Sequence, residues 1–126
     1  MIHNLNISLS DITIRMPGEV RAFCEEAKKN SPKEGVPRFK HMADAWVYLV
    51  IQGIKANPGL EDLGEFQSHP SDAFRWRNLP NQFQEPLILW SLLNHAVDSW
   101  DSDKLSNEVK STLERLAVHG LRQLSL

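Results

Sequence analysis

Phe39-Lys-His-Met-Ala-Asp-Ala-Trp-Val-Tyr-Leu-Val-Ile-Gln-Gly-Ile-Lys55 is the stretch that decides the fold. Its apolar residues Phe39, Met42, Ala43, Trp46, Val47, Leu49, Val50 and Ile54 recur at intervals of three and four, the period of an α-helix. They cover more than one face, and a helix apolar on more than one face belongs in the middle of a core. The spacing predicts a central helix over residues 39–55, stopped by Asn57-Pro58-Gly59.

On the N-terminal side, Asn30-Ser-Pro-Lys-Glu-Gly-Val-Pro37 holds two prolines and a glycine and reads as a turn. Before it, Val20, Phe23, Cys24 and Ala27 keep helical spacing. They predict a helix that ends near Lys29, with Pro17 in its first turn and Glu19 near its positive end. Residues 7–16 read as extended, because Ile12, Ile14 and Met16 alternate with Thr13 and Arg15.

On the C-terminal side, residues 58–84 hold Pro58, Pro70, Pro80 and two glycines and read as irregular. Short pieces of structure are expected around Ala73 to Trp76, with Phe66, Phe74, Trp76 and Phe83 packed on the helices. A third helix is predicted from Glu85-Pro86 to about Ser99, its buried side marked by Leu89, Trp90, Leu92, Leu93, Ala96, Val97 and Trp100. A fourth is predicted over 103–124 behind a cap at Ser102, carried by Leu105, Val109, Leu113, Leu116, Ala117, Leu121 and Leu124. The expected architecture is one domain over residues 1–126, all-α or nearly so. It has four main helices, one short N-terminal β-strand and a long irregular segment between helices two and three.

Composition agrees with such a domain. Of 126 residues, 41% are hydrophobic and 24% charged, ordinary values for a globular chain. A domain of this size buries roughly two-thirds of its unfolded surface and needs no staples. The one cysteine, Cys24, excludes an intramolecular disulfide framework and a multi-cysteine zinc site. It points to a reducing compartment and, within a helical pattern, to a buried thiol. No apolar run reaches the roughly 18 residues that span a bilayer, and Met1 to Ser10 lacks the pattern of a signal peptide. A cytoplasmic location is expected.

The net charge of −2 is unevenly spread. Residues 1–57 carry eight Lys/Arg against six Asp/Glu, and residues 58–126 carry six against ten. Lys28, Lys29, Lys33, Arg38 and Lys40 face a single acid, Glu34, and form a modest basic patch. Phe74-Arg75-Trp76-Arg77 alternates aromatic with arginine. It fits a contact with a partner or nucleic acid, and equally a strand with aromatics inward and arginines in water.

No nucleophile elbow, phosphate-cradling glycine loop, HExxH or EF-hand loop is present. His41 with Asp44, and His95 with Asp98, share a helical face but read as local hydrogen bonding or solvated faces. No catalytic residue, metal ligand or cofactor is assigned.

Two resemblances add to this reading. A strand bearing Thr13 and Arg15, a proline-started helix, a turn and an apolar helix together resemble a ribbon-helix-helix module. In that family a dimer pairs two strands and reads the major groove, which would make Thr13 and Arg15 base-reading positions. Residues 30–38 are longer than that family's turn. Over more of the chain, Phe39, Asp44 and Gly53, with Glu114, Ala117, Gly120 and Leu121 near the C-terminus, look like small accessory proteins encoded beside bacterial DNA phosphorothioation (Dnd) systems. Here His119 stands where that family usually has a second glycine, and Leu116 where it has an aromatic.

The second resemblance implies a non-enzymatic accessory or adaptor protein of a DNA-modification or phage-defence system, with protein components of that system as partners. Weak, salt-dependent DNA contact is expected through Thr13, Arg15, Lys28, Lys29, Lys33, Arg38, Lys40, Arg75 and Arg77. The alternatives are a ribbon-helix-helix transcriptional regulator, necessarily a homodimer, and a small enzyme with an unmarked site.

Overall fold

A computed structural model describes residues 12–32, 34–56, 70–94 and 102–124; the side chains at 89, 92–94 and 102–105 lie outside that description. The described chain is mostly helical. Strand β1 (Thr13–Met16) is followed by helices α1 (Gly18–Lys29) and α2 (Met42–Ala56), strand β2 (Ser71–Arg75), a 3₁₀ turn (Trp76–Asn78), and helices α3 (Asn81–Asn94) and α4 (Ser102–Leu124). Among the described residues there are two strands rather than the one expected. The second lies in the segment read as irregular.

Helices α2 and α4 form the centre, with the largest contact between any two helices described. Trp46, Leu49 and Val50 from α2 and Leu113, Leu116 and Ala117 from α4 are fully buried. The two backbones touch at glycines. A Cβ on Gly53 would stand 2.2 Å from the Leu116 carbonyl oxygen, and one on Gly120 would stand 1.9 Å from that of Leu49. Only a residue without a side chain permits this approach. The close crossing brings dispersion contacts along both helices that a wider spacing would lose.

Helix α1 begins one residue later than its proline suggests. Pro17 is extended and accepts from the N–H of Val20 (3.1 Å) and Arg21 (3.0 Å), so it caps the helix. At the other end the last-turn carbonyls, which have no partner inside the helix, are satisfied in turn. Asn30 N–H donates to Glu26 O (3.0 Å), Phe39 N–H to Ala27 O (2.8 Å), and Arg38 Nη1 to Lys28 O (3.0 Å). This explains why α2 starts at Met42 and not at Phe39. The Phe39 amide is held by α1, and the helix opens behind His41, whose carbonyl accepts from Asp44 and Ala45.

Helix α3 starts four residues before the expected Glu85. Both Pro80 and Pro86 suit an early helical position, and the chain uses Pro80: its carbonyl accepts from Phe83 N–H (3.0 Å). Gln84 fixes the start by donating to Leu79 O (2.9 Å) and Asn81 Oδ1 (3.3 Å). Pro86 then sits inside the helix, exposed, and costs the one bond its missing N–H would have made. The expected continuation through His95 to Ser99 lies outside the described residues, as do residues 7–11 of the expected strand.

The strands pair antiparallel, Thr13 opposite Arg75, Ile14 opposite Phe74, Arg15 opposite Asp72 and Met16 opposite Ser71. The shift after Ile14 leaves Ala73 as an extra residue on β2, a bulge. Ile14 and Met16 point into the core, as their alternation predicts.

Candidate functional site

A two-stranded ribbon has two unpaired edges, which invite other strands. Side chains from two helices engage this one. Arg21 on α1 donates through Nη2 to Ser71 Oγ (3.1 Å) and to the carbonyls of Ser71 and Asp72. Glu114 on α4 accepts the Arg15 backbone N–H at 2.7 Å through Oε2 and the Arg15 guanidinium at 3.0 Å through Oε1. Lys110, one turn earlier on α4, adds a second cation 3.2 Å from Oε2. Glu114 is itself fully buried. A buried carboxylate needs such partners, and this one has two cations and a backbone amide. The hydrogen bond to Glu114 raises the Arg15 guanidinium above its usual pKa, against the opposing effect of burial.

The sequence motif Phe74-Arg75-Trp76-Arg77 is divided between two elements: Phe74 and Arg75 end β2, and Trp76 and Arg77 open the 3₁₀ turn. Trp76 is buried and Phe74 half-buried, stacked edge-on against Trp46 at 5.5 Å, while Arg75 and Arg77 face out. Thr13 lies opposite Arg75, half-exposed.

The basic patch sits elsewhere. Lys28 and Lys29 are exposed on the last turn of α1, and Arg38 and Lys40 are exposed just before α2. Lys33 lies outside the described residues. The Arg38 bond to the Lys28 carbonyl brings the two ends of the patch together.

Beside Arg38 and Lys40 opens a groove of about 360 Å³. Asp44, Val47, Tyr48 and Ile51, spaced along one face of α2, form one wall; Phe39 and the start of α3, with Pro80, Gln82 and Phe83, form the rest. Phe39 and Tyr48 pack as a tilted pair with ring centres 5.4 Å apart. The far face of α2, two residues on, with Trp46, Leu49, Val50 and Gly53, is the one pressed into the core. The excess apolar width of α2 thus serves two surfaces. Sequence reasoning missed Tyr48, Ile51, Gln82 and Phe83. The available signal was that eight apolar positions are more than one core face can use. A second hollow of about 320 Å³ is lined by Arg38, Phe39 and Lys40.

Burial pushes the Cys24 thiol up to about 12, so it stays protonated and unreactive at neutral pH. His41 is exposed and Asp44 half-buried. Among the described residues, no three His, Cys, Asp or Glu side chains gather as metal ligands would. His3, His69 and the His95–Asp98 pair lie outside the description. Among the described residues no helix is long and apolar enough to cross a membrane.

No protein-family model, curated protein or solved structure matches the chain.

Proposed function

We propose that the protein is a non-enzymatic accessory or adaptor of a bacterial DNA-modification or phage-defence system, and that it holds a protein partner at the groove beside α2. The observation that carries this reading is where the residues of the resemblance fall. Phe39 and Asp44 both line the groove. Gly53 and Gly120 lie in the α2–α4 crossing, Ala117 is buried on α4, and Glu114 holds the ribbon. The similarity to proteins encoded beside DNA phosphorothioation systems thus includes the groove and the scaffold that presents it.

The regulator reading needs β1 to pair with β1 of a second copy. In this chain β1 pairs with β2, and the Arg15 amide is taken by Glu114. A dimer ribbon would have to displace one of these, which favours the adaptor.

Deleting the gene in its native host tests the proposal. The expected result is altered phosphorothioate content of the DNA or lost restriction of phage, restored by the intact gene. Unchanged modification and unchanged restriction would overturn it.

A further inference from the structure

The groove beside α2 is apolar at its floor and basic along one rim, and these properties specify what fits it. We propose that it takes an acidic, amphipathic peptide segment, with a bulky apolar side chain against Tyr48, Ile51 and Phe83 and carboxylates against Arg38 and Lys40. This rests on the adaptor reading and gives the partner its chemistry.

The volume, about 360 Å³, is near the lower end for sites that enclose a compact group, roughly 300 Å³ upward. It suits one or two large side chains rather than a whole helix laid flat. Tyr48, Ile51 and Phe83 are only partly buried, so an apolar occupant would remove further apolar surface from water. Two cations face one acid, Asp44, in the lining. Arg38 and Lys40 form the rim, and Arg38 joins it to the turn of α1 that carries Lys28 and Lys29. The Arg38 bond to Lys28 O engages Nη1, and a guanidinium has five donors in all, enough to fork a carboxylate as well. Asp44 favours a peptide over a nucleic-acid backbone. Its carboxylate accepts main-chain N–H groups, donors that a peptide has and a sugar–phosphate backbone lacks.

The chain has a single tyrosine, Tyr48, in the groove wall. Protein labelled with 3-fluorotyrosine therefore gives one fluorine resonance that reports on this site. The probes are the blocked peptide Glu-Asp-Leu-Phe-Glu-Asp-Leu, its counterpart with lysine at every acid, and an oligothymidine single strand. The acidic peptide should shift the resonance saturably; the lysine peptide and the oligonucleotide should not. Arg38→Glu with Lys40→Glu, both at exposed positions, should weaken the effect roughly tenfold or more. Ile51→Asp should abolish it while the melting transition persists.

Equal response to both peptides, or none to the acidic one, would overturn the proposal. So would a response to the oligonucleotide alone, which would make this a nucleic-acid site. A resonance that moves with protein concentration alone would assign the groove to a second copy, again overturning it. Failure here leaves the gene-deletion test standing, because that test reads the cellular role and not the ligand.

Discussion

The ribbon and the groove use the same residue types to opposite ends. Both combine arginine, aromatic rings and a carboxylate. At the ribbon Arg75 and Arg77 face out, but the charges beneath them are bound internally: Glu114 takes Arg15 and Lys110, and Arg21 donates to Ser71 and Asp72. Of the ribbon's aromatics, Trp76 is buried and Phe74, half-buried, meets Trp46 edge-on. At the groove Arg38 and Lys40 stand exposed, and Phe39, Tyr48 and Phe83 remain half in water. Charge and aromaticity in a sequence therefore do not mark a binding surface. What separates the two regions is whether the chain itself supplies the partner.

If the ribbon side is structural, damage to it and to the core beneath should be felt as lost stability. Trp46 is fully buried and meets Phe74 edge-on. Trp46→Ala should cost about 3–5 kcal/mol in chemical denaturation. Its indole N–H finds no acceptor among the described residues, so Trp46→Phe should lose clearly less. A loss under about 1 kcal/mol for Trp46→Ala would place the ring on a surface.

Glu114→Ala leaves Lys110 and the Arg15 amide without their carboxylate. Because the Arg15 side chain is 40% exposed, water compensates part of the loss, and about 3 kcal/mol is expected. Arg15→Ala should cost less than Glu114→Ala. The reverse order would mean that Arg15 serves the fold beyond this pair.

Gly53→Ala and Gly120→Ala each press a methyl group onto a backbone carbonyl and should each cost about 2–3 kcal/mol. One outward shift of α4 relieves both clashes, so the double variant should lose less than the sum. Full additivity would contradict a shared crossing point.

On the groove side the fold should hardly notice. Arg38→Glu with Lys40→Glu should change stability by under about 1 kcal/mol, since neither residue is buried and only Arg38 caps a carbonyl. The smallest effect is expected at Cys24, buried and protonated. A thiol reagent at pH 7 should leave it unmodified in the native protein and label it on unfolding. Rapid native labelling would mean that α1 opens from the core.

Much of the scaffold was legible in the sequence, and the reasons are local. Helix α1 ends at Lys29 where its apolar spacing and the following turn place it. Helix α4 carries its stripe of Val109, Leu113, Leu116 and Ala117 into the core. Strand β2 was legible only toward its Phe74-Arg75 end, because Ser71, Asp72 and Ala73 have little strand preference and its partner β1 lies far back in the chain. The start of α3 was ambiguous because two prolines six residues apart both satisfy the same rule. The candidate site was half legible. Clustered bases pointed to Arg38 and Lys40, but the groove needs Pro80, Gln82 and Phe83 to close it, and no local pattern links them to α2. The Arg15–Glu114 pair joins residues 99 apart, so a position that reads as an outward strand arginine is in fact engaged by a distant helix.

The claim that the groove rather than the ribbon meets the partner has a direct test. The protein is co-expressed with the components of a bacterial DNA phosphorothioation system, the partners proposed for it, and co-elution is compared for two double variants. Arg38→Glu with Lys40→Glu reverses the groove rim; Arg75→Glu with Arg77→Glu reverses the exposed charges at the ribbon. The account predicts that the rim variant loses co-elution and the ribbon variant keeps it, with both folded by circular dichroism. Retained co-elution in the rim variant, with loss in the ribbon variant, would contradict it.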